Sequence, residues 1–365
     1  KKVTEAREII VEYLRTEGLL IEEKETDQNI ATAERTGGIV EPLPKLQWFI
    51  NVNKPIAERD NKTLKELMRG PVADESIKII PDYFGKTYFH WIDNLKDWCI
   101  SRQIWYGHRI PVWYKESEIY CGTEAPIGDG WIQDEDTLDT WFSSALWTFS
   151  TLGWPENTED LKIYHPTDVL ETGYEILFFW VARMILMTEY ALGTIPFKNV
   201  YIHGTVRDSK GKKMSKSLGN GIDPIEIANK YGADAGRMAL IVGTAPGTDS
   251  RIDENKIKGY KNFANKLWNI TRFVTQYNYE YSHDQNFNSF SKNDLELIKA
   301  RDEMVTEISK EMDEMKFHLA SEKLYSYIWH TFADEIVEDS KKVALEGTDE
   351  EKISRKQFVS DTLTV

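Results

Sequence analysis

The run Val200-Tyr201-Ile202-His203-Gly204-Thr205-Val206-Arg207-Asp208-Ser209-Lys210-Gly211-Lys212-Lys213-Met214-Ser215-Lys216-Ser217-Leu218-Gly219-Asn220 decides how the rest of the chain is read. It opens as a strand, Asn199–His203, and turns polar after Gly204. Lys213 and Lys216, three residues apart with Ser215 and Ser217 beside them, suit a loop that presents cations to phosphate oxygens. Gly211 and Gly219 on either side permit that loop to move. A solvated basic turn has the same composition, because basic clusters are common on protein surfaces. The chain carries no Walker A loop and no G-x-G-x-x-G fingerprint, so a nucleotide has to be held in another way.

Upstream of this run, the strand-like stretches Ile77–Ile80 and Ile110–Tyr114 alternate with helical ones. Tyr174 to Met187 reads as a buried helix, and Val200-Tyr201-Ile202 follows it after Gly193 and Pro196. Such alternation predicts a parallel α/β sheet. Downstream, Asp223 as N-cap and Pro224 at the first helical position open a short helix that Gly232 closes. From about Asp253 the chain becomes long, charged and amphipathic over Asn255–Gln276, Lys292–Met315 and Leu319–Lys342, which predicts a helical bundle. Ser282–Ser291 reads as a loop within it. Val3–Leu20 is a helix closing on Gly18, and Glu351–Val365 begins another that stops without a cap. Both ends read as cuts in a longer polypeptide.

With 365 residues, 41% of them hydrophobic, the chain can fill two or three compact domains. A net charge of −15 argues against a mainly electrostatic nucleic-acid binder but leaves room for RNA recognition through local patches. Two distant cysteines, Cys99 and Cys121, exclude a disulfide scaffold and fit a reducing cytoplasm. The longest apolar stretch, Ile176–Met187, contains Arg183 and is too short to span a bilayer. A soluble, cytoplasmic, monomeric protein without a membrane partner is expected.

The motifs are more specific than the composition. Lys213-Met214-Ser215-Lys216-Ser217 resembles the KMSKS signature of class I aminoacyl-tRNA synthetases, in which a strand of this kind precedes it. Trp98-Cys99-Ile100-Ser101-Arg102-Gln103 with Gly107-His108-Arg109-Ile110-Pro111 resembles the branched-chain subgroup. Leu138 to Trp147, continuing to Pro155, and Thr172 to Met184 are similar to its valine-specific branch. The resemblance covers nearly the whole chain. It implies the second half of a class I Rossmann-type catalytic domain followed by an α-helical bundle. Residues 1–27 correspond to the tail of an editing insertion, 28–220 to the catalytic domain, 221–254 to a stem-contact segment, and 255–365 to an anticodon-binding bundle. The family's HIGH signature and most of its editing insertion lie outside the resemblance, so this piece alone is expected to be inactive.

The resemblance further implies ATP with Mg²⁺, valine and tRNA(Val) as substrates and partners. Lys213, Lys216 and Ser215 take catalytic roles; His203, Gly204, Gly173, Glu175, Met214, Lys216 and Ser217 meet ATP. Where the family more often has Asp, Glu175 stands for the ribose hydroxyls. Trp141, Ile176 and Trp180 surround the valine side chain, Ile176 and Trp180 standing one helical turn apart and so sharing a face; ordinary core packing is the alternative. Arg272 and Phe273 meet tRNA, unless Phe273 is simply buried in the bundle. The remaining histidines have no spacing for a metal or a triad. Many relatives carry a Cys-x-x-Cys zinc knuckle where this chain reads Ala33-Glu34-Arg35-Thr36-Gly37-Gly38, so no zinc or other bound metal is expected. Two rivals remain at this stage, an isoleucine-type enzyme and a non-catalytic tRNA-binding module.

Overall fold

The computed structural model describes residues 3–27, 29–33, 36–215, 219–277 and 289–364. They divide into two units, Lys1–Gln47 and Trp48–Val365. In the first, the helix Val3–Thr16 ends where expected: Gly18 adopts φ +68°, the Leu19 amide donates to Leu14 and the Gly18 amide to Arg15. These paired bonds satisfy carbonyls that a helix end otherwise leaves open. Thr32 and Ile39 bridge around a turn that includes Gly37 at φ +68°.

The larger unit is built on a parallel three-stranded sheet in the order Lys78–Ile80, Phe197–His203, Thr167–Gly173. The middle strand buries Phe197, Val200 and Ile202 completely. The predicted parallel α/β sheet is present, with two differences from the sequence reading. Its outer strand Thr167–Gly173 gives little signal, because four of its seven residues are Thr, Asp, Glu and Thr and only Leu170 and Thr172 are buried. The stretch Ile110–Tyr114 instead enters a separate antiparallel sheet, where Val112–Lys115 pairs with Glu118–Cys121 and Ile132–Gln133.

Helices cover the parallel sheet. Leu64–Ala73 starts at a capping box in which the Thr63 hydroxyl accepts from the Glu66 amide and the Glu66 carboxylate accepts from the Thr63 amide. Its apolar face, Leu64, Leu67, Met68 and Val72, joins Met184, Ile185 and Leu186 of the helix Ala182–Leu192 in the main core. The chain leading into Ala182–Leu192 is not the uniform α-helix expected. It winds as a 3₁₀ turn over Tyr174–Ile176, widens to a π turn over Leu177–Val181, and only then becomes α-helical.

The C-terminal region is the predicted bundle, formed by Glu254–Tyr277, Lys292–Asp313, a long helix from Phe317 to Glu346 with a π-wound middle at Tyr327–Val337, and Asp349–Thr364. Most of the expected loop Ser282–Ser291 lies outside the described residues. Ile270, Val274, Phe332, Ile336 and Phe358 fill its core. Beside them sits a buried ion pair: Arg355 and Asp294, each 2% exposed, approach to 2.6 Å, and Arg355 also donates to Asp339 at 2.7 Å. Ser291, which N-caps the helix Lys292–Asp313, and Ser354 donate to the second Asp294 oxygen, so both charges are fully partnered.

Removing one member of a buried pair strands the other charge, which typically costs about 3–5 kcal/mol. Arg355→Ala is therefore expected to lower the unfolding free energy by about that amount, and Asp294→Leu with Arg355→Met by much less. Urea titration of both variants checks this; equal losses would show that packing volume, not the stranded charge, sets the cost.

Candidate active site

Parallel sheets present ligand sites at the carboxyl ends of their strands. Here two strands end side by side, His203 in register with Gly173. A Cβ on Gly173 would stand 3.4 Å from the His203 ring, so a bare backbone at 173 keeps that edge open. His203 is held from both nitrogens, Nδ1 against the Gly204 carbonyl at 2.7 Å and Nε2 against Glu171 at 3.3 Å. Gly204 lies on the backbone of residues 248–249; a Cβ there would come 2.1 Å from the Thr248 carbonyl oxygen. Only glycine permits that approach.

The approach brings in Asp249, which the sequence reading missed. Its carboxylate accepts from the Thr205 amide (2.7 Å), the Tyr174 hydroxyl (3.2 Å) and Arg207 Nε (2.5 Å). Burial alone would raise its pKa, but the Thr205 amide and Arg207 outweigh it and hold the carboxyl below its usual range. One side chain thus joins the strand end, the turn after Gly173, and the base of the lysine loop.

That base is a hairpin. Val206–Arg207 runs parallel to Ser250–Arg251, Arg207 bridges Lys213, and the Met214 amide donates to the Val206 carbonyl. Asp208 caps the turn by accepting from the Lys210 and Lys212 amides, and Gly211 sits at φ +80°. Asn220 clasps the far end, donating to Asp208 and to the Lys213 carbonyl while accepting from the Ser215 amide. Lys213 Nζ lies 2.6 Å from Glu175, which also accepts from Thr205. Two predicted residues, one for the leaving phosphates and one for ribose, are therefore in direct contact. Met214 and Ser215 line a 530 Å³ cavity with Ile222, Ile227 and Leu240. Lys216 and Ser217 lie outside the described residues.

A second buried carboxylate, Asp139, was also unassigned from sequence. Asp139 is only 4% exposed. It N-caps the helix Thr140–Ser144 through the Trp141 amide, accepts from Trp98 Nε1 at 3.1 Å, and pairs with Arg102 at 2.9 Å and Arg183 at 3.8 Å. The Arg183 guanidinium lies 4.2 Å over the Trp98 ring. Burial pulls the Arg183 pKa down and Asp139 opposes it. The three segments most like the branched-chain enzymes meet at this carboxylate.

Trp141 stacks on Phe179 at 5.9 Å, and Trp180 packs against Trp147 at 5.9 Å while donating to the Ser144 carbonyl. Trp141 and Trp180 are thus linked through one short helix. Ile176 is half-buried at the end of the 3₁₀ turn with φ −111° and ψ 14°, so the α-helical reason for putting it on the Trp180 face does not hold. In the bundle Arg272 is exposed, whereas Phe273 packs against the core with the Lys341 ammonium 5.5 Å over its ring. Cys99 and Cys121 form no disulfide. Among the described residues no cluster of three His, Cys, Asp or Glu side chains is arranged to hold a metal, and no helix is long and apolar enough to cross a membrane.

The lysine hairpin stands at the carboxyl edge of the parallel sheet, and a helical bundle follows it in the chain. The family model for tRNA synthetases class I (I, L, M and V) matches residues 12–128 and 125–253, and that for the anticodon-binding domain of tRNA ligase matches 286–364. The chain belongs to the class I tRNA synthetases. It is 46% identical to the valine–tRNA ligase of Clostridium tetani over 95% of this chain and 39% of that protein. It is also 46% identical to the valine–tRNA ligase of Lactobacillus johnsonii over 97% of this chain and 40% of the relative. The chain therefore spans well under half the length of these curated relatives. In fold it is similar to Mycobacterium tuberculosis methionyl-tRNA synthetase in complex with methionyl-adenylate, with TM-score 0.67 and 19% identity over 92% of this chain and 61% of that one. A LeuRS–tRNA–LeuAMS complex from Agrobacterium radiobacter K84 matches with TM-score 0.60 and 18% identity over 75% of this chain and 41% of that one.

The carboxylates at the hairpin titrate in one direction. Lys213 holds Glu175 below its usual pKa, Asn220 and the Lys212 amide do so for Asp208, and Asp249 is lowered as described. Lowered carboxyl values stabilise the fold above the unfolded pKa, and the benefit is lost as pH falls through the folded values. Amide exchange at Met214 and Ser215, corrected for intrinsic rate, is thus expected to be flat above about pH 5 and to accelerate below about pH 4. Glu175→Gln should remove part of that step; better protection in acid would contradict these ties.

Proposed function

We propose that the chain is part of a valine–tRNA ligase, supplying the leaving-group clamp and part of the amino-acid slot. Residues 28–220 belong to the catalytic domain, 221–254 to the stem-contact segment and 255–365 to the anticodon-binding bundle. The observation that carries this reading is the lysine hairpin docked at the carboxyl ends of the strands, with Lys213 2.6 Å from Glu175 beside His203 and Gly204. Its identity with valine–tRNA ligases supports the choice of amino acid.

In the first step a valine carboxylate oxygen attacks the α-phosphorus of Mg²⁺-bound ATP, and the bond to pyrophosphate breaks. Negative charge grows on the leaving oxygens, so ammonium groups fixed there lower the barrier more than they tighten ATP binding. Lys216 and Lys213 fill this role, with Ser215, Ser217, Met214 and the loop amides as neighbours. Glu175 takes the ribose hydroxyls, with Gly173 giving them close access; those hydroxyls then replace Lys213 as donors and release it toward the phosphates. Trp141, Trp180 and Ile176 form the apolar slot, held by the Asp139 cluster. In the second step a hydroxyl of the terminal ribose of tRNA(Val) attacks the valyl carbonyl, the bond from that carbonyl to the phosphate breaks, and AMP leaves as the hydroxyl loses its proton, with Arg272 on the tRNA-facing side. Cys99 and Cys121 form no disulfide, which suits a reducing cytoplasm.

In the intact enzyme carrying this chain, Lys216→Ala is expected to slow valine-dependent ATP–pyrophosphate exchange by about 100-fold or more, as loss of one transition-state donor does, with a far smaller change in ATP affinity. An undiminished rate with weakened ATP binding would show uniform binding instead. Exchange driven by isoleucine and not by valine would move the chain to the isoleucine branch.

A further inference from the structure

The turn that joins the helix Lys292–Asp313 to the long helix starting at Phe317 holds a methionine where helix ends favour glycine. Met315 adopts φ +57°. Its amide donates to the Met312 carbonyl at 3.0 Å, and the Lys316 amide donates to the Glu311 carbonyl at 2.7 Å. These paired bonds are a Schellman closure, whose left-handed residue is usually Gly because a Cβ is strained there. A side chain kept in that conformation points to something the side chain does.

Met315 is half-buried, and with Phe317 it lines a 530 Å³ hollow whose lining also includes Val169, Glu171, Tyr201 and His203. Those four residues alternate along their strands, on the sheet face opposite the buried Leu170, Val200 and Ile202. The Phe317 and Tyr201 ring centroids are 5.5 Å apart. Tyr201 is the register partner of Glu171, and burial, followed by the Glu171 charge, raises its pKa. Glu171 in turn lies 3.3 Å from His203 Nε2, while the Gly204 carbonyl holds Nδ1. A line of neighbours therefore runs from Phe317 through Tyr201 and Glu171 to His203. With both nitrogens held, His203 offers a nucleotide its ring face, so the tilt of the ring decides what it meets.

We propose that Met315 and Phe317, although they belong to the helical bundle, are positioning residues for the His203 end of the sheet. They brace Tyr201 and Glu171, so that the His203 ring keeps the orientation in which ATP meets it. The inference rests on the reading of His203 as an ATP contact. Neither bundle residue has to touch the nucleotide. An interaction that holds ATP equally in the ground state and the transition state shows in KM and not in kcat, so losing the brace should raise KM for ATP alone. The same reading accounts for the strained turn. Glycine would close the helix with less strain but would remove a side chain from the wall of the hollow that His203 shares.

The test is steady-state, valine-dependent ATP–pyrophosphate exchange by the intact enzyme carrying this chain, with thermal melting alongside. Met315→Gly is expected to raise KM for ATP about three- to tenfold while kcat stays within about twofold. Its melting temperature should stay level or rise, because the turn is relieved of strain. Phe317→Ala should raise KM to a similar extent, and Phe317→Tyr should restore it. His203→Ala should raise KM at least as far, and adding Phe317→Ala to it should change KM little further. Normal KM values in Met315→Gly and Phe317→Ala, beside a raised one in His203→Ala, would overturn the brace and leave the ATP role of His203 standing. A normal KM in His203→Ala would overturn that role itself. Fully multiplicative effects in the double variant would show that the turn does not act through His203, and would sink the proposal.

Discussion

A single carboxylate, Asp249, organises the carboxyl edge of the parallel sheet. Its three donors come from three parts of the chain: Thr205 after the central strand, Tyr174 after the outer strand, and Arg207 in the lysine hairpin. The contact exists because glycines let backbones touch. Gly204 rests on residues 248–249, and the Gly247 amide donates to the Ile202 carbonyl at 2.7 Å from a φ of +73°. Charge-assisted hydrogen bonds of this kind are stronger than neutral ones and fix direction as well as distance. The hairpin inherits its position from them, and Lys213 is set against Glu175.

Asp139 does the equivalent work around Trp98 and Trp141. A carboxylate this buried has to be paired, and Arg102, Arg183, Trp98 and the Trp141 amide supply the partners. Between the two carboxylates runs the segment Tyr174–Val181, which changes from 3₁₀ to π winding. Local widening of a helix is frequent at functional sites because it re-aims side chains without breaking the backbone ladder. Here it separates Leu177 and Val181, buried in the core, from Phe179 and Trp180, which meet Trp141 and Trp147.

Much of this was legible in the sequence where local chemistry and global fold agree. Asp223-Pro224 and Gly232 delimit a helix because capping and φ restriction act within one turn, and the helix Pro224–Tyr231 follows them. The buried strand Phe197–His203 and the bundle were readable from apolar runs and periodicity. What escaped depends on partners distant in sequence. Asp249 sits in a Thr-Asp-Ser stretch with no periodic signal, and its meaning comes from a strand some 45 residues earlier. Thr167–Gly173 is polar enough to read as a loop until pairing with the central strand makes it a strand. Helical phase failed at Ile176 because propensity carries no mark of the change from 3₁₀ to π winding. Lys213 against Glu175 joins two residues singled out separately, a contact that spacing alone does not announce.

In the proposed reaction Asp249 places the lysines where charge develops on the leaving group. A double-mutant cycle between Asp249→Asn and Lys216→Ala, read as the single-turnover rate of adenylate formation in the intact enzyme, tests it most directly. If the carboxylate acts through the loop, the two losses overlap and the double variant is scarcely slower than Lys216→Ala. Fully multiplicative losses, or a normal rate in Asp249→Asn, would contradict the account.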